Sequence, residues 1–545
     1  MLNHLLRPLL PVLLLLQACR ERPTADLIIH HAVIYTCDSA FSIQQAMAVK
    51  DGRILATGTD AEILGVYNAD RLLDADGQYI YPGFIDAHCH FTGYATDLWK
   101  CNLVGTASWE EVLKRISEYA AGESAGWIYG RGWDQNDWQE KLFPDKSALD
   151  RLFPDRPVFL KRIDGHAAIA NQRALNLAGI TTATRITGGR VVVKNGQLTG
   201  LLLDAAMDAV ERFIPPPADE VTRRHLQHAQ DSCFRNGITG VHDCGVSEHL
   251  LRLVEEEQSA GRLTMKVFAL LHDSAQYYER WIRKGPYRKG ALHVGGFKVY
   301  ADGALGSRGA CLLKPYSDEP GEQGFMITSP DRLRQLAGQL ARSGLQLCTH
   351  AIGDSANRVV LKAYAAALGG TNDRRWRIEH AQVVDTSDIP LFGRYSIVPS
   401  VQPVHATSDM HWVEKRLGQH RMAGAYAYRS LLDQNGWMPL GTDFPVEDNS
   451  PLRTFYAAVM RRDPSGHPEQ GFYAREAITR RAALLGITLW AAKAALEENE
   501  KGSLEKGKSA DWVVMDTDLM KANPNQLLKS RILAVFVDNK SVYQR

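Results

Sequence analysis

Between Phe84 and Pro445 a single rhythm recurs in the chain: a short apolar run rich in β-branched residues, then a longer stretch with helical spacing. That alternation is how repeated βα units and a parallel sheet read in sequence. Eight runs qualify as strands: FIDAHCH, GITGVHD, LTMKVFALL, GGFKVYADG, LQLCTHAIG, WRIEHAQ, YSIVPSVQ and MPLGTDFPV. Eight such strands close into a barrel, so the expected class is α/β with a (β/α)8 TIM barrel. The segments between them carry helix signals. In SPDRLRQLAGQLARSG, Ser329 is placed to cap, Pro330 stands in the first turn, Leu333, Leu336 and Leu340 share one face, and Gly344 marks the end.

Two regions depart from the rhythm. Residues 26–82 read as short strands with hairpin turns, Asp51-Gly52 among them, and residues 505–545 have the same character in GKSADWVVMD and ILAVFVDNKSVY. These chain ends are expected to pair in one small β domain. Within a barrel domain spanning 83–504, residues 91–217 separate the first two strands. They are rich in Trp and Gly, hold a hairpin signal in VVVKNGQLTG and close at Pro215, Pro216 and Pro217. This stretch reads as a subdomain inserted over the barrel mouth.

The opening MLNHLLRPLLPVLLLLQACR has one positive charge at Arg7 and an apolar run from Leu9 to Leu16. The run is too short to cross a bilayer core of roughly 30 Å as a helix, and its charged front and small-residue end are those of a secretory signal. The string LQAC is similar to the lipobox of bacterial lipoproteins. That likeness implies removal of residues 1–18, lipidation of Cys19 and a tether over residues 19–25; an ordinary signal peptide or an uncleaved hydrophobic start is the alternative. Arg20, where inner-membrane lipoproteins carry Asp, implies the outer membrane, facing the periplasm or the exterior. Composition narrows the partners: 63 Lys+Arg against 62 Asp+Glu leave no basic field for a nucleic acid. The other cysteines, Cys37, Cys89, Cys101, Cys233, Cys244, Cys311 and Cys348, are scattered with no C-x-x-C pair. They read as packed free thiols, although an oxidising envelope allows one or two bridges.

Chemistry gathers at the carboxyl ends of the strands. Residues two apart in a strand face the same way, so in PGFIDAHCHF both His88 and His90 point into the barrel as a metal pincer. An H-x-H pair alone is as often structural. Its weight comes from Lys298 in GGFKVYADG, His350 in LCTHAIGD, His380 in RIEHAQ and Asp443 in LGTDFPV, each near the strand end where barrel enzymes place their chemistry. Lys298 poses an electrostatic problem, because an amine of reference pKa about 10.4 is a cation that repels a metal. Burial and a nearby metal lower that pKa, and a neutral amine reacts with carbon dioxide to give a carbamate with two oxygens. An ion pair of Lys298 with Asp302 or Asp443 is the alternative.

HCH on the first strand, Lys298 on the fourth, His350 on the fifth, His380 on the sixth and Asp443 on the eighth resemble the metal site of the amidohydrolase superfamily. More closely, RGWDQNDW, DGHAAIAN, YADGALGSRGA, THAIGD, RIEHAQ, GTDFPV and GSLEKGKSADWVVMD are similar to amidohydrolase family 3, the YtcJ-like and N-substituted formamide deformylase-like proteins. The resemblance runs from about Ala25 to the end of the chain. It implies a β-sandwich built from both chain ends, a metal-dependent barrel, and hydrolysis of C–N bonds other than peptide bonds. It also implies two divalent metal ions, one on His88, His90 and Asp443, the second on His350 and His380, with carboxylated Lys298 bridging. Imidazole and carboxylate ligands suit zinc, while manganese, iron and cobalt stay open. A metal lowers the pKa of water towards about 7 and polarises a carbonyl. Asp443 beside that water takes its proton and passes it to the departing nitrogen.

For the substrate pocket, the insertion offers Trp133 and Trp138 as an apolar wall and His166 as a partner for a carbonyl or oxyanion, while Asp302 and Arg308 orient Lys298 or the substrate. Each has a plain structural alternative: core tryptophans, a turn-capping histidine and an Asp302–Arg308 ion pair. His242 and Asp243 end the second strand and are candidates to support the ligands; His30, His31, His225 and His228 lie outside the mouth. The expected function is that of a lipid-anchored, metal-dependent amidohydrolase acting on a small amide, formamide, ureide or acyl-amino compound, with a homodimer left open. Ester or lactone hydrolysis, or an envelope binding lipoprotein without catalysis, are the alternatives. Lipidation has a direct check: Cys19→Ala is expected to abolish incorporation of a labelled fatty acid, and unchanged labelling would remove Cys19 as the attachment point.

Overall fold

The computed structural model describes residues 22–122, 126–163, 165, 167–186 and 189–545. The signal and residues 19–21 of the tether, Cys19 included, lie outside the described residues, as does His166. Seven parallel strands follow one another in chain order around a barrel: β1 (Phe84–Cys89), β2 (Ile238–Val246), β3 (Lys266–His272), β4 (Leu292–Tyr300), β5 (Gln346–Ala351), β6 (Arg377–His380) and β7 (Val398–Ser400). Both faces of these strands are covered, which explains their near-continuous apolar sequences.

Residues 438–444 fill the eighth place without regular strand geometry, bonded on both sides. The Gly441 amide donates to the Val401 carbonyl at 3.0 Å, the Ala87 and His90 amides donate to the Leu440 and Phe444 carbonyls at 3.2 and 2.9 Å, and the Asp443 amide donates to the His88 carbonyl at 2.8 Å. A Cβ on Gly441 would stand 2.5 Å from the His88 nitrogen, so glycine is what lets this segment lie against β1. The eight sequence runs thus all take barrel places. The helix Pro330–Leu340 also forms as its signals require: the Ser329 hydroxyl accepts from the Arg332 amide and Leu333, Leu336 and Leu340 are buried, although the helix stops at Leu340, short of Gly344.

Strands from the two chain ends share one sheet, in the order Lys540–Gln544, Ile532–Val537, Trp512–Met515, Tyr79–Pro82, Val33–Tyr35 and Ile43–Gln44. A second sheet runs Arg53–Gly58, Ala46–Lys50, Leu27–His30 and Leu72–Asp74. Leu27, Ile29 and Met47 of this sheet pack with Ile34, Ile80, Trp512 and Val514 of the other in one apolar cluster. The turn at Asp51-Gly52 takes positive φ at both residues, as a tight hairpin needs.

The insertion has its own mixed sheet, ordered Cys101–Asn102, Ile128–Trp133, Val158–Arg162, Ala167–Ala170, Gln197–Asp204 and Gly189–Lys194. The hairpin of the last two strands turns at Asn195-Gly196. Trp133 and Trp138 are buried in the core of this subdomain, donating their indole N–H groups to the Leu160 and Thr106 carbonyls at 2.8 and 3.0 Å. The expected apolar wall of a substrate pocket is therefore packing inside the insertion, where both rings are buried among Leu103, Ile116, Leu149 and Leu160. Every described cysteine is a free thiol, and among the described residues no helix is long and apolar enough to cross a membrane.

A buried ion pair ties the barrel to the terminal sheet. Lys266, opening β3, donates to both Asp511 oxygens at 2.9 and 2.7 Å and to Asp538 at 2.8 Å. Removing Asp511 leaves Lys266 with the half-exposed Asp538 alone, at a cost below the about 3 kcal/mol of a fully stranded buried charge. Asp511→Ala is expected to lower the urea unfolding midpoint accordingly, and adding Lys266→Met in the same chain is expected to recover part of the loss.

Candidate metal centre

His88 is fully buried on β1, and its Nδ1 lies 2.6 Å from Glu379 Oε2. Donation there leaves Nε2 to face the barrel axis. His90 donates from Nδ1 to the Cys244 carbonyl at 2.8 Å, which frees its Nε2 in the same way. A histidine whose second nitrogen is tied to a carboxylate or carbonyl is oriented as a metal ligand. Asp443 Oδ1 stands 3.4 Å from His88 Nε2 and 3.2 Å from His90 Nε2. The donor atoms of His88, His90 and Asp443 lie within 4.8 Å of one another, and so do those of His380, His405 and Asp443.

Lys298, buried on β4, donates from Nζ to His88 Nε2 at 3.0 Å. His350 meets His380 edge-on with ring centroids 4.5 Å apart, but it belongs to neither donor set. Three buried atoms aimed into this space, His350 Nε2, His380 Nδ1 and Asp443 Oδ1, have no hydrogen-bond partner. Leaving such atoms unsatisfied is costly, and imidazole nitrogens with a carboxylate oxygen are what a divalent ion takes. The residues present fit a divalent metal.

The electrostatics agree. Burial, reinforced by Lys298, pushes His88 down to about 4 and His350 down to about 3, and burial with the neighbouring His350 holds His380 well below its usual value. These rings are neutral at pH 7, with lone pairs available. Burial alone would raise the Asp443 carboxyl, yet His88, His405, His90 and His380 hold it well below the usual range. Lys298 departs from expectation. Burial lowers it, but the acidic groups facing it, Tyr300, Cys244, Glu379 and Asp443, more than offset that and its pKa is raised.

Backbone geometry helps to aim the ligands. His380 and Asp443 both sit in the left-handed region, with φ of +71° and +65°. Non-glycine residues held there store about 1 kcal/mol or more and cluster at functional sites. Strict alternation along β6 would face Glu379 inward and His380 outward; the left-handed turn at His380 brings both to the interior. Asp86 fixes the facing segment, accepting from the Thr442 amide and hydroxyl at 3.0 and 2.7 Å.

Asp302 stands beside the donors, its Oδ1 3.7 Å from His350 Nε2, while Arg308 is turned to another acid. The buried Asp302 carboxylate accepts from the amides of Cys311, Ile352 and Gly353 at 2.8, 2.9 and 2.8 Å, joining the loops after β4 and β5. Arg308 pairs with Asp318 at 3.1 Å instead, so the Asp302–Arg308 ion pair does not form. Lys298 has no ion-pair contact with Asp302 or Asp443. His242 supports the barrel centre, its Nδ1 2.8 Å from Arg377 Nη1, and Asp243 accepts from the Thr92 amide at 3.0 Å. The cavity over the donors measures about 380 Å³, and its apolar wall comprises Tyr300, Leu305, Ile352, Trp412 and Val446. No described residue of the inserted sheet lines it.

Three residues at the centre escaped the sequence reading. Glu379 orients His88, while His405 bonds Asp443 Oδ2 at 3.1 Å and Glu447 at 3.2 Å. Those two carboxylates push His405 up to about 10 despite burial. The one sequence signal for His405 is its place in SVQPVHATSD, a histidine just past the end of β7.

Fold and site together define a barrel hydrolase with a divalent-metal centre. Residues 71–543 match the Amidohydrolase family, and the chain belongs to it. It is 32% identical over 538 residues to Protein LONG AFTER FAR-RED 3 of Arabidopsis thaliana, covering 95% of this chain and 92% of that one. It is also 32% identical to the putative amidohydrolase YtcJ of Bacillus subtilis (95% and 99% covered) and 28% identical to the N-substituted formamide deformylase of Arthrobacter pascens (95% and 98%). Among solved structures, an uncharacterized metal-dependent hydrolase from Pyrococcus horikoshii superposes with a TM-score of 0.78 at 26% identity, covering 91% of this chain and 99% of that one.

The Glu379–His88 contact predicts a measurable loss. Glu379→Gln is expected to weaken metal binding about 10- to 100-fold, measured by competition with a chromophoric chelator, with the far-ultraviolet circular dichroism unchanged.

Proposed function

We propose that the protein hydrolyses a C–N bond other than a peptide bond in a small molecule: an amide, an N-substituted formamide, a ureide or an acyl-amino compound. The observation that carries this reading is the convergence of unpartnered buried donors, Asp443 Oδ1, His350 Nε2 and His380 Nδ1, beneath a cavity of about 380 Å³. Similarity along nearly the whole chain to an N-substituted formamide deformylase supports the choice of bond.

His88, His90, His350, His380, Asp443 and carboxylated Lys298 would hold two divalent ions, zinc by ligand chemistry. A bound ion supplies Lewis-acid polarisation of a carbonyl and a water of lowered pKa. The chain's own groups do the rest. His88, neutral, and His90 are both fixed through Nδ1 and hold their Nε2 atoms toward the space between the donors. The ionised Asp443 carboxylate accepts a proton from water and returns it to the departing nitrogen. An amide needs that return, since an amine anion is a poor leaving group. Carboxylation of Lys298 would replace a cation 3.0 Å from His88 Nε2 with an anionic donor. Tyr300, Leu305, Ile352 and Trp412 favour an uncharged substituent and exclude water from the reacting bond. Lipidation at Cys19, supported by the sequence alone, would hold the enzyme at the outer membrane.

The test combines metal analysis with a hydrolysis screen over N-formyl amines, acyl amino acids, ureides and lactones. Wild type is expected to carry stoichiometric metal and to release an amine. Asp443→Asn is expected to lose about 10²- to 10⁴-fold in kcat, and Lys298→Ala to lose metal. Protein purified without stoichiometric metal, or turnover of lactones with no amide cleaved, would sink this reading.

A further inference from the structure

We propose that His405, itself held by Glu447, is a positioning residue that divides the labour of the two Asp443 oxygens. The proposal rests on the hydrolase reading only for its kinetic arm. The two oxygens stand in different surroundings. Oδ1 has His88 Nε2 at 3.4 Å and His90 Nε2 at 3.2 Å, yet makes a hydrogen bond with neither. The three atoms surround a point beside the oxygen, as ligands of one ion do. Oδ2, acceptor-only as an ionised carboxylate oxygen, instead takes a hydrogen bond from His405 Nε2 at 3.1 Å.

The other face of the ring is fixed as well. His405 Nδ1 meets Glu447 Oε1 at 3.2 Å, and that oxygen also accepts from the Ser408 hydroxyl at 2.6 Å. An imidazole with a carboxylate at each nitrogen has one orientation that satisfies both. His405 comes from the helix Pro403–Asp409 directly after β7, while Asp443 and Glu447 come from the eighth barrel place and the loop beyond it. The contact therefore locks the last two barrel units to each other at the level of the donors. Without it, the Asp443 carboxylate is free to turn about its side-chain bonds and present both oxygens to one ion. With it, a single oxygen faces His88 and His90.

His405 also lies close enough to His380 and Asp443 to be counted as a donor for a metal. The hydrogen-bond geometry favours the positioning role, because a nitrogen that donates its N–H to Oδ2 has no lone pair to offer an ion.

The experiment uses the full-length protein loaded with cobalt(II), whose visible bands report ligand geometry. His405→Ala is expected to keep the wild-type metal stoichiometry, shift those bands and lower kcat about 10- to 100-fold, with KM changed by less than about threefold. His405→Gln, whose amide can donate one N–H to Asp443, is expected to recover part of the band position and of kcat. Glu447→Gln leaves the ring in place and is expected to give a smaller shift in the same direction, which keeps the test informative should His405→Ala fold poorly. Wild-type bands and kcat in His405→Ala would overturn the proposal. Loss of one equivalent of cobalt from both His405 variants would overturn it too, by making His405 a ligand. The cobalt spectra need no substrate, so they stand or fall independently of the hydrolase reading.

Discussion

The donors at the barrel mouth depend on the hydrogen bonds that lay residues 438–444 along β1. These residues have no regular strand to hold them. Their place is fixed by the amides of Ala87, His90, Gly441 and Asp443 and by the Asp86 carboxylate under Thr442. Burial pushes Asp86 up to about 7 while Thr442 and the His88 amide pull the other way, and those three hydrogen bonds are what let a carboxyl stand inside. The separations between Asp443 and the two β1 histidines follow from that lamination. Gly441 is its steric condition, since any side chain there would collide with His88.

Beneath the donors, charge is arranged as a chain along the barrel axis. The Arg377 guanidinium faces Glu379 at 2.8 Å, Glu379 takes the N–H of His88, and His88 Nε2 meets Lys298. Buried charges are tolerated only when paired and bonded in this way. The order has a chemical effect, for burial and the Lys298 ammonium outweigh the Glu379 carboxylate and leave the imidazole neutral. Lys298 is the member whose charge conflicts with a metal, and its carboxylation would turn the conflict into a bridge.

The barrel was legible in the sequence because parallel strands buried on both faces leave apolar runs that no other element imitates at that spacing. The donors were legible because each sits at a strand end. What escaped reading depends on backbone that breaks alternation or on contacts remote in sequence. Glu379 and His380 are adjacent, and only the left-handed turn at His380 lets both face inward. Trp133 and Trp138 looked like a pocket wall because the sequence does not reveal that the insertion folds around its own core. Asp302 lies near Lys298 in sequence, but what holds it are backbone amides of its own loop and of the loop after β5, remote along the chain. His405 lies past the end of a three-residue strand, where no periodic signal calls attention to it.

The strand Tyr79–Pro82 has Val33–Tyr35 on one side and Trp512–Met515 on the other. Its second neighbour follows the barrel in the chain, so the entire barrel is made before the first sheet can acquire its missing half. Until then the edge of Tyr79–Pro82 is an open template for stray pairing. Pairings so distant along the chain also form slowly. The strands that follow the barrel thus act as a clasp: they close the edge at which a newly made chain is vulnerable.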